Sequence, residues 1–168
     1  MTVAATGLVL GNRGSGIEMG GAKPWSSTTA RSAPGFMVYA PTANGQVQNF
    51  GLIRSGNSNA GSTFGVVVNG GNARVENFGT IPTSTQVGAG VNLATIGIGA
   101  LGSRVENHGL ILGFAESVKG SAPGDILIKA GVLVGLADLA GGHDFYDGTG
   151  GSATNLLGRG GRGGRVGR

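Results

Sequence analysis

One heptapeptide occurs three times in this chain of 168 residues. Val47-Gln48-Asn49-Phe50-Gly51-Leu52-Ile53 is matched by Val75-Glu76-Asn77-Phe78-Gly79-Thr80-Ile81 and by Val105-Glu106-Asn107-His108-Gly109-Leu110-Ile111. The copies begin 28 and 30 residues apart, and Val, Asn, Gly and Ile stand at the same four places in each. A chain that repeats at such a period stacks one small unit on the next. Successive side chains of a strand face opposite sides, so Val75, Asn77 and Ile81 share one face, and Glu76 and Phe78 the other. On stacking, each inward Val and Ile meets its counterpart about 4.8 Å away. Asn49, Asn77 and Asn107 then form an amide ladder, which satisfies a polar group whose burial unpaired costs about 1–3 kcal/mol. Gly51, Gly79 and Gly109 supply the bend that follows.

A second apolar stretch precedes each copy: Gly35–Tyr39, Gly65–Val68 and, less cleanly, Gly90–Leu93 or Thr95–Ile98. The residues between are turn formers, among them Asn44-Gly45 and Asn69–Asn72, which tolerate positive φ. The rhythm continues in Asp125–Ile128 and Gly131–Val134. Glycine makes up 37 of the 168 residues, which disfavours helices by about 1 kcal/mol at each position. It does not recur at every third place, so collagen is excluded. The absence of cysteine removes disulfides and thiolate metal sites. The pattern predicts an all-β fold: a right-handed parallel β-helix (solenoid) of about five coils, with 28–30 residues in each. The expected division is an irregular N-terminal segment or worn first coil over 1–33, repeats over 34–157, and a disordered Arg/Gly tail over 158–168.

The heptad, with its Gly-Val strand and Gly/Asn turn, resembles the passenger domains of bacterial autotransporters and the related haemagglutinin-like β-helix adhesins. Ala137–Asp147 is similar to an aliphatic-Asp-x-Gly-Gly-x-Asp element of such passengers, and the likeness covers roughly residues 35–157. The resemblance implies a non-enzymatic structural or adhesive segment that presents loops from a rigid rod. It also implies a place at the cell surface or in the secreted fraction. The partner would be a host or cell-surface glycan or protein. A membrane would be met only through a C-terminal β-barrel that this sequence lacks. No signal peptide is read at the start, so a truncated or frame-shifted passenger fragment is the expectation. No cofactor and no metal are expected.

Other motifs carry weaker chemistry. Arg159, Arg162, Arg165 and Arg168 hold the net charge of +4, and the rest of the chain balances eight basic against eight acidic residues. The neutral body argues against nucleic-acid binding there, so the alternative of RNA binding falls to the RGG-like tail. Phe50, Phe78 and His108 occupy one repeat position and are candidates for surface binding as well as for stacking. Glu76 and Glu106 raise the alternative of a carbohydrate-binding or carbohydrate-active β-helix, but Arg74 and Arg104 run beside them as an ordinary solvating column. Gly97–Gly102 spells G-x-G-x-x-G, yet a repeat strand follows it where a dinucleotide site needs a helix. His143, Asp144 and Asp147 look like half of a calcium-binding repeat and read as a polar closing loop.

Overall fold

A computed structural model describes residues 2–3, 17–18, 26–28, 38–40, 43–54, 64–83, 88–94, 101–154 and 165–167. Among these there are sixteen strands and no helix. In chain order the first eight are β1 (Thr2–Val3), β2 (Ile17–Glu18), β3 (Ser26–Thr28), β4 (Val38–Ala40), β5 (Gln46–Asn49), β6 (Val66–Val68), β7 (Arg74–Asn77) and β8 (Thr80–Pro82). The others are β9 (Ala89–Leu93), β10 (Arg104–Asn107), β11 (Leu110–Ser121), β12 (Ile126–Lys129), β13 (Val132–Ala140), β14 (Phe145–Asp147), β15 (Ser152–Thr154) and β16 (Arg165–Gly167). No helix of the described residues is long and apolar enough to cross a membrane.

The strands form two sheets of eight. The first runs β1-β3-β5-β7-β10-β12-β14-β16, and the second β15-β13-β11-β9-β6-β4-β2 with β8 paired to β11. Every pairing is parallel, with Val47, Val75, Val105 and Leu127 in register across β5, β7, β10 and β12. Buried on the inner side are these four residues, then Ile53, Ile81, Ile111 and Leu133, with Val66, Val91 and Val118 from the second sheet. Each such side chain contributes about 1.5–3 kcal/mol through burial. The inward Val and outward Glu of β7 and β10 follow from the alternation along a strand.

This arrangement corrects the fold expected from the repeat. Two parallel eight-stranded sheets are present, not an evenly wound, closed right-handed β-helix of about five coils. The separation between paired positions is 28 and 30 residues across β5, β7 and β10, and falls to 22 and then 19 across β10, β12 and β14. The heptad therefore reports the return length of its own three copies and no others. Strand pairing also reaches beyond 34–157. β1, β2 and β3 lie within 1–33 and join both sheets. Arg165–Gly167, in the expected tail, pairs with Phe145–Asp147.

Two local devices shape the second sheet and the bends that lead into it. The long β11 covers β8 with its first part and β9 with its second, and its pairing with β13 shifts register between Leu112 and Glu116 and again before Val118. Such an irregularity turns the strand and throws Phe114 outward, where it is 63% exposed. The repeat glycines serve another purpose than free rotation. A Cβ on Gly79 would overlap the Gly51 carbonyl oxygen, one on Gly109 that of Gly79, and one on Gly131 that of Gly109. The bend column is thus a backbone-on-backbone contact that admits no side chain, and Gly131 is a fourth member.

Candidate functional site

The repeat strands lay three kinds of side chain in columns. Asn49, Asn77 and Asn107 are fully buried. The Nδ2 of Asn49 donates to Oδ1 of Asn77 at 2.7 Å, and that of Asn77 to Oδ1 of Asn107 at 2.8 Å. The Nδ2 of Asn107 donates to the Val132 carbonyl at 2.9 Å. Each amide also donates to the glycine carbonyl two residues on, at 3.2 Å. These local bonds hold the Asn-x-Gly bend, and the long ones tie it to the neighbouring strand. Lys129 takes the next register position beside Asn107 and is buried. It carries no amide, so the column ends there.

On the outer face Phe50 and Phe78 stack with centroids 5.0 Å apart and planes 4° from parallel. Phe78 and His108 continue the stack at 4.8 Å and 5°. These separations match the spacing of neighbouring strands. Inside the column each ring face is turned to the next ring, and solvent meets mainly the edges. Phe50 is 50% and Phe78 44% exposed, and with the exposed His108 they form a continuous ridge of stacked rings, apolar at its first two members.

A charged row runs beside the ridge. Arg74 Nη2 lies 2.7 Å from Glu76 Oε1 and 2.7 Å from Glu106 Oε1. Arg104 Nε donates to the same Glu106 oxygen, and Gln48 Nε2 donates to Glu76 Oε2. Partial burial works against the charge on Glu106, but Arg104 and Arg74 outweigh it and hold its carboxyl below the usual value. A glycosidase pair needs a gap for sugar and water between its carboxyl groups. Here one guanidinium bridges them, so the two acids are arranged as counter-ions.

The remaining candidates lie apart. Asp147 Oδ1 accepts the Thr149 hydroxyl at 2.7 Å and the Thr149 N–H at 3.0 Å, and these bonds lower its pKa. Asp144 is buried and accepts the Asp125 N–H at 2.9 Å, while His143 is exposed. Among the described residues no group of three or more His, Cys, Asp or Glu is placed to hold a metal ion. Most of the Gly97–Gly102 motif lies outside the described residues, and β10 follows it. Arg159, Arg162 and Arg168 lie outside them too, while Arg165 is at the start of β16.

One polar group escaped the sequence reading. Asp125 is fully buried, and its carboxylate accepts the Ser103 N–H, the Ser121 N–H and the Ser121 hydroxyl, at 2.7, 2.7 and 2.9 Å. It joins the entries to β10 and β12 with the end of β11. An Asp placed just before the apolar run Ile126–Ile128 was its only signal.

Comparison of the chain with family models, with curated proteins and with solved structures finds no match. The likeness to autotransporter passengers rests on the sequence motifs alone.

Proposed function

We propose that this chain is a non-enzymatic structural and adhesive segment of the kind found in autotransporter passengers. Its stiff two-sheet body carries a ridged outer face that meets a cell-surface glycan or protein. One observation carries the reading. The residues with chemistry to offer face their own counterparts on adjacent strands instead of converging on a point. Asn meets Asn, ring meets ring, and each Glu of the row meets an Arg. Such columns suit a long, flat contact, in which a few aromatic anchors carry most of the binding.

The test uses the purified full chain on an immobilised glycan panel and on intact cells. The triple variant Phe50→Ser, Phe78→Ser, His108→Ser should retain the β-type circular dichroism and adhere about tenfold less, a loss of roughly 1.4 kcal/mol. Wild-type adherence no greater than that of an unrelated β protein would remove the reading.

A further inference from the structure

A second polar column follows the residues that enter β7, β10, β12 and β14 of the first sheet. Ala73 donates its N–H to the Ser103 hydroxyl at 3.2 Å, Ser103 to Asp125 Oδ1 at 2.7 Å, and Asp125 to Asp144 Oδ1 at 2.9 Å. Each step uses one side-chain oxygen of the next strand. The two carboxylates differ in their second oxygen. Asp125 Oδ2 is capped by the N–H and hydroxyl of Ser121, four residues earlier. Four residues before Asp144 stands Ala140, which is in register with Ser121. Ala140 has no hydroxyl, its φ is +62°, and its N–H goes instead to Asp138 Oδ1 at 2.9 Å. Asp144 is only 5% exposed, and its Oδ2 is buried without a hydrogen-bond partner. The arrangement is thus a copy of the Ser121–Asp125 clamp from which both donors have been withdrawn.

We propose that Asp144 is a proton-operated latch at the entry to β14, closed when its carboxyl is neutral and loosened when it ionises. An ionised oxygen without a donor is costly inside a protein, and a proton removes that cost. The surroundings act the same way. Burial raises the Asp144 pKa above its ordinary value, and so do the carboxylates of Asp125 and of Asp138 on β13. The Asp125 N–H and the neighbouring His143 oppose this and are outweighed. A folded-state pKa above the unfolded one gives stability that is fully present below the unfolded value. That stability is lost as the pH rises through the folded value.

Thermal unfolding of the full chain from about pH 4 to about pH 8 tests the latch, since this window lies above the ordinary Asp range. The wild-type Tm should fall by a few degrees as the pH climbs. Asp144→Asn keeps an oxygen for the Asp125 N–H and cannot ionise. Ala140→Ser restores a hydroxyl at the position in register with Ser121, four residues before Asp144. Each should lose less than half as much Tm as the wild type over the same range. The remainder belongs to Asp125, whose pKa is raised by burial against three donated hydrogen bonds. Should Asp144→Asn fail to fold, Ala140→Ser still decides the matter. The wild-type pH slope in the folding variants would overturn the latch. So would a rise in wild-type Tm on adding calcium chloride at neutral pH that Asp144→Asn abolishes, because the oxygen would then be a cation ligand.

Discussion

Two stretches of the first sheet solve the same problem with different side chains. From β5 to β10 the buried polar column is made of Asn, and from β10 to β14 a parallel column is made of Ser103, Asp125 and Asp144. An amide both donates and accepts, so one Asn can satisfy the next, and the remaining donors go to backbone carbonyls that lie alongside. A carboxylate only accepts, so each Asp must recruit donors from elsewhere. Asp125 finds them in Ser121, and Asp144 finds one of the two it needs. The amide column is indifferent to pH over the physiological range, and the carboxyl column is not.

The largest blow to this contrast should come from Asn77→Ala. It takes from the Asn49 amide its shortest acceptor, leaving the Thr80 carbonyl at 3.4 Å, takes from Oδ1 of Asn107 the Asn77 donor, and removes the bond that holds the Asn77–Gly79 bend. We expect a loss of about 3 kcal/mol in urea unfolding, equal at acid and neutral pH. A pH-dependent loss would mean that the two columns are coupled.

Next in size is a pair of glycine changes that sharpens what the two stretches share. Gly79→Ala lies in the amide half and Gly131→Ala beyond it, yet each new Cβ would strike a carbonyl oxygen of the preceding strand. Backbone must move in both cases, and each variant should lose about 2 kcal/mol. Unequal losses in parallel unfolding curves would show that the close stacking is not uniform along the sheet.

The smallest effect should be that of Glu106→Gln. The carboxylate is partly exposed in a row of ion pairs, so the change should cost less than about 1 kcal/mol at neutral pH and fade in high salt. Its pKa is lowered in the fold, so its contribution is present above the unfolded value and lost as the pH falls through the folded one. The sign is opposite to that of Asp144. Acid titration of the variant beside the wild type checks it, and an unchanged acid limb would deny Glu106 any part in it.

How much of this was readable before the structure depends on whether a position repeats its residue. Val47, Val75 and Val105 or Asn49, Asn77 and Asn107 are identical residues at identical register, so both the inward face and the ladder were legible. Phe50, Phe78 and His108 were legible as one column, with stacking as one of its two readings, for the same reason. The second polar column was not, because Ser103, Asp125 and Asp144 share a role without sharing a residue. Gly131 joins the bend column without the rest of the heptad around it, and β1, β2 and β3 pair without any copy of it. Nor does a local motif encode how many residues pass before the chain returns. That number is set by turns and by the irregularity in β11, which is why winding inferred from three copies did not extend to the whole chain.

The direction of the Asn ladder carries one more consequence. Asn77 takes a hydrogen from Asn49 and hands one on to Asn107, so a copy of this middle rung would still bring donors to acceptors. A gene that duplicated the unit between Asn77 and Asn107 would extend the body by one strand in each sheet at almost no cost in polar satisfaction. The carboxyl column grows less freely, since each added Asp asks for a Ser like Ser121 four residues before it as well. Growth of this molecule over evolutionary time is therefore expected on the amide side, with the acidic end kept at a fixed length.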